Sequence, residues 1–209
     1  MELLDALKSD IAELKASLLS DDVLEVKAPD DLTRRQELLI ASFVILSHAH
    51  IEEFIENLFL RYVEMREKEI ADLAVPHCFV KLALHFSPDL IGQGAGNKLQ
   101  TRQICTTAKN LYISKVVNTN HGLKESNVMA LAKPLGVHGE NLSGECEQLF
   151  ATLNTLGGKR GRMAHTSSRN QAASETVYAS QAIVWVEDVV NLAHQLDNYL
   201  STGNSASTT

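Results

Sequence analysis

From Leu32 to Ala71 the chain contains neither proline nor glycine. A run of that length without a breaker has one economical use in a small protein, a single long helix, because each turn added after the first is cheap once nucleation has been met. The pattern predicts a helix over about residues 32–71 that forms the spine of the fold. One face carries Ile40, Val44, Ile51, Ile55, Leu58 and Tyr62. A second face begins with Leu39, Phe43 and Leu46, then turns polar with His50, Glu53 and Asn57. A helix that is apolar on two sides is packed on two sides, and the polar continuation marks a cleft or a wet interface.

The remaining elements read as shorter helices around this spine. Leu4, Leu7, Ile11, Leu14 and Leu18 form one stripe on a first helix. Ser20-Asp21-Asp22 and Pro29-Asp30-Asp31 punctuate a linker, with Asp31 the expected N-cap of the long helix. Short helices are expected around Phe79–Phe86, Gln100–Val117 and Ser126–Lys133. Another should run from Ser143 to Leu156 and stop at Gly157-Gly158. Ala179, Ala182, Val186, Val189, Ala193, Leu196 and Leu200 give a clean amphipathic final helix. The expected organisation is an N-terminal helix over 1–20, a helical bundle over 31–200 and a polar tail over 201–209. With 4 Pro, 11 Gly and 5% aromatics the chain lacks the turn residues and bulky strand formers of a β sandwich. The fold class is all-α, a bundle with one long central helix.

Charge and cysteine usage narrow the function classes. A net charge of −7 argues against a generic nucleic-acid coat held by overall positive charge. Cys78, Cys105 and Cys146 are widely spaced and form no CxxC pair, as expected of reduced thiols in a cytoplasmic protein. Acids interleave with the leucines of the first fifteen residues, unlike a signal peptide, and no uninterrupted apolar run of about 18 residues suggests a membrane partner.

Three patterns that resemble sites are weak. Gly92, Gly94 and Gly96 have no preceding strand and no following GK[ST], and read as a flexible connection rather than a phosphate loop. His48 and His50 point about 200° apart on a helix and cannot share an ion. His77-Cys78 has no second pair. No metal and no cofactor is expected. Glu64, Glu67 and Glu69, mixed with Arg61, Arg66 and Lys68, read as a solvated helix face with i,i+3 and i,i+4 pairs.

One segment differs. Between Glu147 and Glu175 there is no acidic residue, although the chain has 26 acids in 209 residues. Within that gap Lys159, Arg160, Arg162 and Arg169 surround the single histidine His165. From composition alone this is a basic interhelical loop that happens to contain a histidine.

Arg160-x4-His165, ending in Ala164-His165, resembles the R-x4–6-H signature of the HEPN superfamily. Leu46-Ser47-His48-Ala49-His50-Ile51-Glu52-Glu53-Phe54 resembles the long second helix of its RiboL-PSP-like branch, in which an acid precedes an aromatic by two. The order of elements agrees, and the resemblance covers about Leu32 to Leu200. Gly161 departs from the polar residue that usually follows the arginine.

The resemblance implies a metal-independent endoribonuclease, a toxin or defence effector, with Arg160 and His165 as catalytic residues. A neutral imidazole can take the proton of a ribose 2′-OH, which then attacks the adjacent phosphorus. An arginine offers a planar fork to the phosphate oxygens as charge builds. Lys159, Arg162 and Arg169 would contact neighbouring RNA phosphates, with His50, Asn57 and either Glu52 or Glu53 in support. Five residues apart on an ideal helix, Arg160 and His165 are separated by about 140° of rotation and about 7.5 Å of rise. A homodimer that brings two copies of each into one cleft removes that difficulty. The alternative is a non-catalytic HEPN-like dimer that scaffolds or regulates a partner protein, an antitoxin among the candidates.

Overall fold

The computed structural model describes residues 2–26, 31–71, 74–92, 101–165 and 177–202. They form eleven α-helices and no strand: α1 (Glu2–Leu18), α2 (Asp21–Leu24), α3 (Arg34–Glu67), α4 (His77–His85), α5 (Ser87–Gly92), α6 (Thr101–Tyr112), α7 (Glu125–Ala132), α8 (Gly139–Glu145), α9 (Glu147–His165), α10 (Ala179–Leu192) and α11 (His194–Thr202). The all-α reading and the long central helix hold.

α3 starts two residues later than Asp31 suggests, at a cap built by Thr33. The Gln36 backbone N–H donates to Thr33 Oγ1 (3.3 Å), and the Thr33 N–H donates to Gln36 Oε1 (2.9 Å). This reciprocal box satisfies two donors that Asp31 alone could not reach. The helix ends at Glu67, and Ala71 then pairs with Ala74 ahead of Pro76. An 18-residue window of α3 has a mean hydropathy of 1.5, enough by length and composition to cross a bilayer, but 44% of it is buried inside the protein as a core helix is.

The chain divides into two compact units. The first comprises Met1–Phe54, Leu123–Glu125 and Glu147–Leu196, and the second Ile55–Gly122, Ser126–Cys146 and Asp197–Thr209. In the first unit, α1, α2 and α9 each pack on α10. Its core is made by Leu7, Ile11, Val23, Phe43, Val44, Ile51, Leu149, Phe150, Leu153, Leu156, Val186 and Val189, all buried. Each such side chain stabilises the unit by roughly 1.5–3 kcal/mol on burial.

The second unit is built on α4, which packs on α6 and on the 3-10 turn Lys133–Leu135. The helix expected over Gln100–Val117 is present, but its last five residues widen into a π turn, closed by the Asn118 N–H on the Ile113 carbonyl at 2.9 Å. Buried Tyr112 donates its hydroxyl to the Leu131 carbonyl at 3.0 Å. The mixed charges at the end of α3 are not only a solvated face of i,i+3 and i,i+4 pairs. Arg66 does pair with Glu69 at 2.9 Å, but Arg61 binds Asp197, and Glu67 binds Lys109 at 2.6 Å. All three cysteines are buried, unpaired thiols.

Other helix boundaries also differ from expectation. The final helix breaks at Ala193, where His194 Nδ1 donates to the Asn191 carbonyl at 2.7 Å. More consequential for the site, α9 does not stop at Gly157-Gly158 but runs on to His165. Ser143 lies inside α8 rather than opening this helix.

Candidate functional site

The described part of the basic segment, residues 159–165, is the C-terminal end of α9 and not a loop. Glycines inside a helix cost about 1 kcal/mol each relative to alanine, yet Gly157, Gly158 and Gly161 are all helical. The helix survives because its preceding turns are anchored by Leu149, Phe150, Leu153 and Leu156, each buried in the first unit. Beyond the glycine pair, the Lys159 ammonium lies 4.4 Å from the centroid of the Trp185 ring on α10, a cation–π contact that fixes the next turn. Gly157 has a packing role as well, since a Cβ there would stand 3.3 Å from Lys124 Cγ.

Helical register then places the motif. Arg160 follows Leu153 by seven residues and Leu156 by four, so it continues the stripe that carries the core. Its side chain is exposed at the end of that stripe. His165 closes α9, and its side chain lies outside the described residues. By position it shares the helix face of Gly158 and Gly161, at both of which a Cβ would meet nothing within 4 Å. The two motif residues are therefore on different faces of one continuous helix, as the five-residue spacing requires. Arg162 is exposed, and Arg169 lies outside the described residues, as do residues 93–97 of the glycine-rich segment.

The charge of Arg160 is felt by one buried polar residue of α3, His48. Only 5% of it is exposed, and its Nδ1 lies 3.7 Å from Glu52 Oε2 one turn along α3. Burial, followed by the positive charge of Arg160, lowers its pKa from 6.5 to about 4, despite the neighbouring carboxylate. His48 is therefore a neutral imidazole at physiological pH, set between the influence of an anion and that of the motif arginine. Ser47, beside it, is fully buried, and its Oγ has no hydrogen-bond partner among the described residues.

This arrangement separates the four residues of α3 expected to support the site. Glu52 is half-buried and faces His48, whereas Glu53 is exposed. His50 turns to α1, with Nδ1 3.4 Å from Asp10 Oδ2. Asn57 is half-buried and belongs to the second unit. The second face expected of α3 is in fact two strips. Phe43 is wholly buried within the protomer, while Leu38 and Leu46 are 52% and 42% exposed and lie on one line with Ala49 and Glu53. The distinction is angular: about 60° separates Phe43 and Leu46, enough to put one inside and one outside.

Among the described residues no group of three or more His, Cys, Asp or Glu side chains is placed to hold a metal ion. His48 and His50 lie on different sides of α3, as their spacing dictates.

The family model RiboL-PSP-HEPN matches residues 5–202. The chain belongs to the RiboL-PSP-HEPN family. The matched region takes in α1 as well as the helices from α3 onward, so this HEPN domain includes the N-terminal helix that packs on α10. No curated protein and no solved structure matches the chain. His48, which its spacing from His50 excludes as half of a metal pair, is a buried residue of this HEPN domain that feels the charge of Arg160. The signal that points to it is the i,i+4 spacing of His48 and Glu52 on the inward side of the long helix.

Proposed function

We propose that this HEPN domain is a metal-independent endoribonuclease acting on RNA in the cytoplasm as a toxin or defence effector. The observation that carries the reading is an exposed Arg160 at the end of a buried stripe of α9, five residues before His165, in a chain of the RiboL-PSP-HEPN family. His165 is the general base that takes the ribose 2′-OH proton and then the acid that returns one to the 5′-oxygen leaving group. Arg160 stabilises the charge that grows on the phosphate oxygens. The products are a 2′,3′-cyclic phosphate and a 5′-OH. Arg162 and Arg169 hold flanking phosphates, with Lys159 contributing to the same positive field.

Because Arg160 and His165 lie on different faces of α9, the reading includes a homodimer in which two protomers supply the cleft. The exposed strip Leu38, Leu46 and Ala49 of α3 is the apolar surface such an interface would seal. Light scattering at micromolar concentration should return about twice the 23.0 kDa chain mass.

A second reading, a non-catalytic HEPN dimer that regulates a partner protein, is favoured by Gly161 and by the net charge of −7. One gel separates the two. Total RNA incubated with the pure protein in EDTA is degraded under the first reading and preserved by Arg160→Ala and His165→Ala. Intact RNA with the wild-type protein supports the second.

A further inference from the structure

Apart from the end of α9, the sequence holds a second acid-poor stretch. Between Asp72 and Glu125 the only acid is Asp89, against six lysines and arginines, in a chain of net charge −7. This stretch builds α4, α5 and α6 of the second unit. Three acids within or beside it are already matched. Glu67 binds Lys109 at 2.6 Å, Glu69 binds Arg66 at 2.9 Å, and Asp89 binds Lys115 at 2.6 Å. Lys81 of α4 and Arg102 of α6 are exposed, and among the described residues neither has an ionic partner. Between these two helices lies a groove of about 280 Å³. Phe79, Val80, Ala83 and Leu84 line it from α4, Ile104 and Cys105 from α6, and Thr101 adds a hydroxyl. Leu84 is 65% exposed, the most of any large apolar side chain among the described residues, and Val80 is 43% exposed. Val80 and Leu84 are one turn apart on α4, as Thr101 and Cys105 are on α6, so each wall presents an i,i+4 pair.

We propose that the α4–α6 groove is a docking site for an acidic amphipathic helix of a partner protein. The apolar side of that helix covers Val80 and Leu84, and acids along its edges meet Lys81 and Arg102. The nine residues of α4 extend about 13 Å, the length of two to three turns of a helix laid along it. Lys81 is anchored for the role. Its stem lies over Gly136, where a Cβ would stand 2.5 Å from Lys81 Cγ, so its ammonium starts from a fixed root on the flank of α4. Charge complementarity selects this occupant. A second copy of the chain fits poorly, because a two-fold contact sets each Lys81 and Arg102 against their own image. A bilayer fits poorly as well, since the surface is concave and two cations fall short of the roughly four to eight of a lipid-binding polybasic segment. The inference is independent of the endoribonuclease reading, for none of its residues lies in α9.

The test is a display selection on the full chain, with a library of helical peptides of about four turns. The peptides are apolar at i, i+3, i+4 and i+7 and randomised in charge elsewhere, and full-length Leu84→Ser serves as counter-target. The enriched peptides should be acidic and bind with a micromolar Kd that weakens as salt is added. Leu84→Ser should weaken them by about tenfold or more. Lys81→Met combined with Arg102→Gln should weaken them by about tenfold at low salt. Melting temperatures should match wild type, because all three positions are exposed and methionine keeps the stem over Gly136. Peptides with no acidic bias, equal enrichment on Leu84→Ser, or no enrichment at all would overturn the inference. Two further measurements identify a different occupant. Self-association that Leu84→Ser abolishes would give the groove to a second copy, and binding to phosphatidylserine vesicles that it abolishes would give it to a membrane. Either result, without acidic peptides, also overturns the inference.

Discussion

The Lys159 ammonium of α9 stands 4.4 Å from the ring centroid of Trp185 on α10, one residue before Arg160. This contact holds the helix just where two glycines loosen it. A half-buried cation–π pair is worth about 0.5–2 kcal/mol. A double-mutant cycle of Lys159→Met and Trp185→Leu, read by urea unfolding followed by circular dichroism, should give a coupling in that range. A coupling near zero would leave the end of α9 held by its leucines alone.

The glycines themselves make a second prediction. Gly158 and Gly161 are helical, and a Cβ at either would meet nothing within 4 Å. Gly158→Ala and Gly161→Ala should each stabilise the fold by about 0.5–1 kcal/mol, through reduced freedom of the unfolded chain. Gly157→Ala should gain less, because its Cβ would press on Lys124 Cγ at 3.3 Å. Denaturation midpoints of the three variants rank these effects, and an equal gain at all three would contradict the packing described for Gly157.

His48 should leave a signature in the pH dependence of stability. Its folded-state pKa of about 4 lies below the unfolded value of 6.5. Above pH 6.5 both states leave it neutral and it contributes no pH dependence. As the pH falls from 6.5 toward 4, the unfolded chain binds a proton that the folded chain refuses, so stability is lost, by up to about 3 kcal/mol. His48→Leu should flatten this part of the profile relative to wild type, because the other acid-sensitive groups are common to both proteins. Parallel profiles from pH 7 to 4.5 would show that His48 does not titrate as a buried group.

Arg160 is linked to the same titration. Its charge is the second cause of the lowered His48 pKa, after burial. Arg160→Ala should therefore raise the His48 pKa, followed by NMR of the imidazole, while burial still keeps it below 6.5. Arg160 is exposed, so the variant should retain its melting temperature within a degree or two. Cleavage should fall by at least about 10²-fold, the cost of removing one donor to a charged transition state.

Much of this was legible in the sequence. The breaker-free stretch from Leu32 to Ala71 announced α3, and the stripe of Ala179 to Val189 announced α10, because both follow from local spacing. The acid-free segment pointed to Arg160 and His165, and the resemblance it carried is borne out at the level of the family. What could not be read there depends on contacts far apart in the chain. Gly157-Gly158 reads as a helix stop until Leu153, Leu156 and the Lys159–Trp185 contact hold the helix through it. Phe43 and Leu46 read as one face, but their burial differs completely, since an angular step of about 60° is decided by neighbours from other helices. His48 looked like half of an implausible metal pair. Only the fold brings it under the charge of Arg160.

The central claim is that Arg160 and His165 cut RNA through the ribose 2′-OH, and the end groups of the fragments test it most directly. An RNA oligonucleotide is incubated with the pure protein in EDTA, alongside the same sequence carrying a single 2′-deoxy nucleotide at the cleaved position. The account predicts fragments ending in a 2′,3′-cyclic phosphate and a 5′-OH, no cut at the deoxy position, and no fragments with His165→Ala. Fragments with 3′-OH and 5′-phosphate ends, or cleavage at the deoxy position, would contradict it, because the attacking oxygen would then be that of water rather than of the ribose.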